Sequence, residues 1–220
     1  MNNDLAEQLL EVAINRGASA AEVYQSRSLS KPVFFEANRL KQLESNQSTG
    51  TALRLWYEGR PGLTVANGPV EAETIVERAI ALSKLNNSEE VKLAAGSQVV
   101  YPDLGENILP EQMVEWGKQT IALIRDVYPD VICNGDWECD VETTRLVNTQ
   151  GLDSHYTDTT LSCYTSAEWV RGDDFLSVAD GQTNRGKLNP DALAQQILQR
   201  LNWAESNVEA PTKSRIPVLF

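Results

Sequence analysis

Apolar residues along the chain alternate between two periods, and the switch between them outlines the elements. Leu5, Leu9 and Val12 recur at i, i+4 and i+7 and predict a helix over residues 4–16, with Asn3 able to cap it and Gly17 able to take the left-handed position that ends it. Strand-like stretches follow at 21–28 and 32–36, then a polar corner at Ala37-Asn38-Arg39 and a return over 40–46. Residues 51–57 alternate, so Leu53, Leu55 and Tyr57 share one face while Arg54 and Trp56 share the other. Glu58-Gly59-Arg60 predicts a hairpin turn into 62–66. A second helix is predicted from Pro69, with Ala72, Ile75, Val76, Ala79 and Leu82 as its apolar stripe and Asn86-Asn87 at its end.

Residues 88–109 are weakly patterned and read as a connection, after which the order recurs. A helix over 110–127 carries Met113, Trp116, Ile121 and Ile124 and stops before Pro129. Strands are predicted at 131–141, 144–148, 159–170 and 175–179, with turns at Thr149-Gln150-Gly151 and Arg171-Gly172-Asp173-Asp174. A last helix opens at Asn189-Pro190 and carries Leu193, Ile197, Leu198 and Leu201. The chain therefore reads as α+β, a duplicated helix–antiparallel strands–helix unit with halves at about 1–95 and 108–205, its mixed or antiparallel sheets covered by helices. Two local echoes support the duplication. Asn38-Arg39-Leu40 resembles Thr144-Arg145-Leu146, and Val65-Ala66-Asn67-Gly68 resembles Val178-Ala179-Asp180-Gly181. Residues 209–213 read as a linker, and 214–220 as the first strand of a further domain cut short, because an apolar strand at a free end leaves a sticky edge.

Composition narrows the function classes. With 41% hydrophobic and 23% charged residues the chain is ordinary globular protein. A net charge of −12 argues against direct nucleic-acid binding, which relies on Lys and Arg displacing counterions. No apolar run reaches the ~18 residues a membrane helix needs. The start, Met1-Asn2-Asn3-Asp4, lacks the basic and apolar character of a signal peptide, so a cytoplasmic location is expected.

Candidate chemistry is sparse. Cys133, Cys139, Cys163 and His155 contain the elements of a Cys3His zinc site, but Cys-x5-Cys lacks the tight knuckle of structural zinc sites, and free thiols are the better reading. His155 beside Ser154 reads as a solvated histidine rather than a general base, since no nucleophile-elbow pattern accompanies it. Asp136, Glu138 and Asp140 alternate on one strand face; they could act as paired carboxylates or hold a hard cation, but read first as the solvated side of a half-buried strand. Asp173-Asp174 is turn chemistry. Neither a dinucleotide-binding glycine pattern nor a P-loop is present. Arg54 and Trp56 are the candidate site: a cation and a flat aromatic on the non-core face of a strand can hold an extended peptide or pack against a partner subunit.

The run Gly17-Ala18-Ser19-Ala20-Ala21-Glu22-Val23-Tyr24 resembles the TldD/PmbA family, once named as modulators of DNA gyrase. Asn38-Arg39-Leu40, Leu43-Glu44-Ser45, Gly50-Thr51-Ala52-Leu53-Arg54-Leu55, Glu58-Gly59-Arg60-Pro61-Gly62 and Val65-Ala66-Asn67 carry the more specific match, and Asn148-Thr149-Gln150-Gly151 extends it into the second half. The resemblance implies the N-terminal, non-catalytic domain, over 1–213, of a metallopeptidase subunit that matures or degrades unfolded peptides. It implies partners in a peptide substrate and a homologous subunit, as a homo- or heterodimer. It places zinc, held by a His-Glu-x3-His helix, in the C-terminal domain of the whole protein or in its partner. No His-Glu pair occurs in these 220 residues, so no catalytic or metal residue is carried over. The polar tracts around His155 and Asp173 lean toward the PmbA (TldE) type. The competing reading is a protein-binding regulator without enzyme activity, as the gyrase name suggests.

Overall fold

In the computed structural model, which describes residues 4–205, four helices lie against one eight-stranded sheet. The elements run α1 (Leu5–Asn15), β1 (Ala18–Glu36), β2 (Arg39–Leu43), β3 (Asn46–Tyr57), β4 (Arg60–Asn67), α2 (Ala72–Ser83), β5 (Gln98–Tyr101), α3 (Pro110–Val127), β6 (Ile132–Asn148), β7 (Asp153–Arg171), β8 (Asp174–Asn184) and α4 (Pro190–Trp203). The proposed linker and the strand over 214–220 lie outside the described residues. Among the described residues no helix is long and apolar enough to cross a membrane.

The halves meet at the centre of the sheet, where β1 and β6 pair antiparallel without a break from Glu22↔Asn148 to Phe35↔Gly135. Outward from that pair run β3 and β4 on one side and β7 and β8 on the other, so each half sets three matching strands between two helices, with β2 as an additional strand in the first half. The echo at Val65–Gly68 and Val178–Gly181 falls on β4 and β8, which hold matching places. The echo at Asn38–Leu40 and Thr144–Leu146 does not: the first opens β2 and the second lies inside β6, whose counterpart is β1.

Three sequence readings are corrected. β1 is one strand of 19 residues rather than two, because its outer edge is shared: β3 pairs as far as Ser30 and β2 takes over at Val33. Pro32 sits at the handover, where its missing N–H leaves no gap in a ladder. The same continuity holds for β6 and β7, read from sequence as shorter pieces. Helix α2 starts at Ala72 rather than at Pro69, which with Gly68 (φ +75°) makes the turn out of β4. Its buried stripe is Ala72, Ile75, Val76, Ala79 and Ser83, while Leu82 is 42% exposed. The connection contains an unforeseen strand: β5 pairs parallel to β7, from Gln98↔Asp153 to Tyr101↔Tyr156.

All four helices lie on one face. Odd-numbered residues of β1 and β6 point toward them along the whole strand length, because the β1/β6 register never slips. At one end Ala21, Val23, Leu53, Leu55 and Val147 pack under α1 and α2; at the other Val33, Phe35, Trp137, Cys139 and Leu161 pack under α3 and α4. Between these two cores the helix-side residues of the sheet are Gln25, Arg27, Leu29 and Lys31 of β1, Gln47 and Thr49 of β3, Val141, Thr143 and Arg145 of β6, and His155 and Thr157 of β7. None of them belongs to either core. A polar trough crosses the sheet there.

Candidate functional site

Arg54 and Trp56 share a strand face, as alternation requires, and Arg54 lies 4.8 Å from the centre of the indole while pairing with Glu22 at 2.8 Å. Trp56 is nevertheless 1% exposed. The chain after α2 folds over it: Trp56 Nε1 donates to Glu89 at 3.1 Å, and Glu89 N donates to Gly59 O. The indole is thus a buried anchor for the connection, not a platform for a passing peptide. Arg54 stays exposed beside Pro61, Leu63 and Asn86–Glu89.

The three thiols are buried on the helix face within the α3/α4 core, whereas His155 lies in the trough. Burial pushes Cys133 and Cys163 up to about 11 and raises Cys139, so all three are protonated at neutral pH. Among the described residues no group of three His, Cys, Asp or Glu is placed to hold a metal ion.

The carboxylate row occupies the opposite, helix-free face. Asp136, Glu138, Asp140 and Glu142 line up on β6 beside hydroxyls of β1: Ser28 Oγ donates to Asp140 at 2.7 Å, and Ser30 Oγ donates to Glu138. Burial first, and Glu138 second, hold the Asp136 carboxyl above the usual carboxylate range. The folded chain therefore keeps that proton more tightly than the unfolded chain, and stability falls as pH rises through the window above the ordinary Asp value. Asp136→Asn removes that loss. Its melting temperature should exceed the parent's by about 2 °C at neutral pH and converge with it near pH 4. A variant less stable than the parent at pH 7 would contradict this.

The trough is the site the structure does assemble. A cavity of about 450 Å³ opens where the start of α1 (Leu5), the β4–α2 turn (Gly68, Pro69) and the sheet floor converge, with Arg27, Arg145 and His155 among its lining. A wider depression of about 680 Å³ beside α1 has Glu11 as its one charged lining residue and offers little for recognition. In the trough Arg145 is clamped by Asp153, Nε to Oδ1 and Nη2 to Oδ2 each at 3.0 Å, and donates also to Asp4. Asp4 in turn accepts from Ala6 N and caps α1, so one guanidinium fixes the helix to the sheet. Arg145 first, and His155 after it, draw the Asp153 carboxyl below the usual range, and His155 Nε2 sits 3.0 Å from Asp153 Oδ1. Arg27 is held differently: with the Gln47 amide turned so that its oxygen faces the guanidinium, Nε and Nη2 donate to it, each at 3.1 Å. Thr143 and Thr157 face each other across β6 and β7, their hydroxyls 3.4 Å apart.

Sequence reasoning missed this site. Its signal was the polar interruption in otherwise apolar helix-side positions, at Gln25, Arg27, Thr143, Arg145 and Thr157.

Residues 21–83, from β1 through α2, match the family model described as PmbA/TldA metallopeptidase domain 1. No curated protein is matched. Among solved structures the chain is similar to TldE from Thermococcus kodakarensis (TM-score 0.75, 18% identity, 91% of this chain and 48% of that one). It is also similar to a putative modulator of DNA gyrase from Bacteroides thetaiotaomicron (0.73, 18%, 91% and 49%). Another such putative modulator, from Thermotoga maritima, gives 0.73 at 13% identity, over 89% and 46%. The chain thus spans about half the length of the structures it matches. Residues 21–83 thus match the first-domain model of the PmbA/TldA metallopeptidases, and the described chain shares its fold with the N-terminal half-length of these structures.

Proposed function

We propose that this chain is the non-catalytic N-terminal domain of a TldD/PmbA-type metallopeptidase subunit, which works with a homologous subunit and guides extended, unfolded peptide toward a metal site supplied outside these residues. The trough supports this reading above all. A folded sheet ordinarily packs its helix side; here the two helix pairs stand apart and leave a floor of amides and hydroxyls, Gln25, Thr49, Thr143 and Thr157, together with charged groups. Such a floor offers hydrogen bonds to any peptide main chain without selecting side chains. Binding of that kind is uniform along the reaction and lowers KM rather than raising kcat.

The test uses the intact protein with its subunit mate and an unfolded fluorogenic peptide. The double variant Thr143→Val, Thr157→Val should raise KM about five- to ten-fold with kcat unchanged, the loss of roughly one or two neutral hydrogen bonds. Chelator should abolish cleavage in parent and variant alike. An unchanged KM, or chelator-sensitive cleavage by residues 1–220 alone, overturns the reading.

A further inference from the structure

The sheet sorts its charges by face. On β6 the even positions Asp136, Glu138, Asp140 and Glu142 face away from the helices, while Arg145 faces the trough; on β1 Arg27 and Lys31 face the trough as well. In a chain of net charge −12 this gathers cations where the surface is recessed.

The trough's two arginines are not equivalent. Arg145, 17% exposed along its side chain, has its charge answered by Asp153 and Asp4 and serves the fold. Arg27, diagonal to it across the β1/β6 ladder, is exposed and held by an uncharged partner. Gln47 fixes the direction of the guanidinium while leaving its charge uncompensated and its Nη1 donors for something else. Thr49 and Thr143, opposite Arg27 on the two neighbouring strands, add hydroxyl donors on either side.

We infer that Arg27 is a selectivity residue: within the peptide-guiding trough it takes a carboxylate of the bound polypeptide. The inference rests on the proposed function and adds a substrate preference to it. A planar guanidinium pairs a carboxylate through two parallel hydrogen bonds, and a charged acceptor gains more from them than a neutral one. Two sources supply that chemistry in a peptide, a Glu or Asp side chain and the C-terminal carboxylate.

The experiment measures binding of labelled unfolded peptides to the intact protein by fluorescence anisotropy. Four peptides of one length carry Glu or Gln at the centre and a free or amidated C-terminus. At low salt the parent should bind a carboxylate-bearing peptide about ten-fold more tightly than the Gln, amidated one, and the advantage should shrink as salt rises. The central Glu or the free terminus, whichever retains the advantage alone, identifies the source. Arg27→Gln should erase the preference, so that all four peptides bind with one affinity, and Arg27→Lys should restore part of it. Equal affinity of the parent for all four peptides overturns the carboxylate site and leaves peptide guidance standing. Failure to bind any of the four sinks both.

Discussion

Trp137→Ala should cost about 3–5 kcal/mol, the range for emptying a fully buried large aromatic site. Trp137 is 1% exposed, on the helix side of β6, with its ring 6.0 Å from that of Trp116 on α3. Phe35, Met113, Ile124, Leu161 and Leu193 belong to the same core, so the truncated side chain leaves a hole that α3 and α4 cannot both move to fill. Such a loss is a large fraction of the ~5–15 kcal/mol by which domains are stable. Chemical denaturation with Trp203→Ala as reference tests it, since Trp203 is 68% exposed and its removal should change stability by about 0.5 kcal/mol or less. A Trp137→Ala variant no less stable than Trp203→Ala would show that the α3/α4 core is not organised around this residue.

The same residue shows why much of the fold was legible. Trp137, Cys139 and Cys133 share parity on β6, and Met113, Trp116, Ile121 and Ile124 recur at helical spacing on α3; each pattern reports the face that meets the other. Helices α3 and α4 start at the prolines that local chemistry names, Pro110 and Pro190, and the two-residue β3–β4 turn uses Glu58 and Gly59 at φ +51° and +73°. These signals are local, so one sequence carries them.

What was lost is non-local. β5 exists because the connection lies beside β7, a pairing between residues more than fifty positions apart, and nothing in Gln98–Tyr101 announces it. Trp56 follows the same logic: alternation sets its face correctly but is silent about the segment that later covers that face. The breaks read into β1, β6 and β7 have a more useful cause. Hydrophobic alternation detects a strand only where its neighbour is apolar; the reading breaks at 29–31 in β1 and at 142–143 in β6 and begins β7 only at 159, although backbone pairing runs straight through. Those three lapses sit side by side in the sheet. Register turns an apparent failure of strand prediction into the floor of the trough.

Gly62→Ala, the second of the large effects, tests how the other core is closed. Gly62 lies on the helix side of β4, opposite Leu55, beneath α2. A Cβ placed there would lie 1.9 Å from the backbone oxygen of Ala79 and 3.0 Å from Ser83 Cβ, both residues fully buried. The obstruction is helix backbone, which has no rotamer to change, so the whole of α2 must lift from the sheet. Overpacking that side chains can absorb costs about 1–3 kcal/mol, and this substitution belongs at or above the top of that range. For a chain of this size about 3 kcal/mol lowers the melting temperature by roughly 6–12 °C. Hydrogen exchange should show where: amides of α2 and β4 lose protection first, while those of α3 and α4, which rest on the separate core under Trp137, keep theirs. A melting temperature within about 2 °C of the parent would mean that α2 stands off the sheet by more than this packing allows. Uniform loss of protection across both helix pairs would mean that the β1/β6 ladder makes the two cores unfold as one.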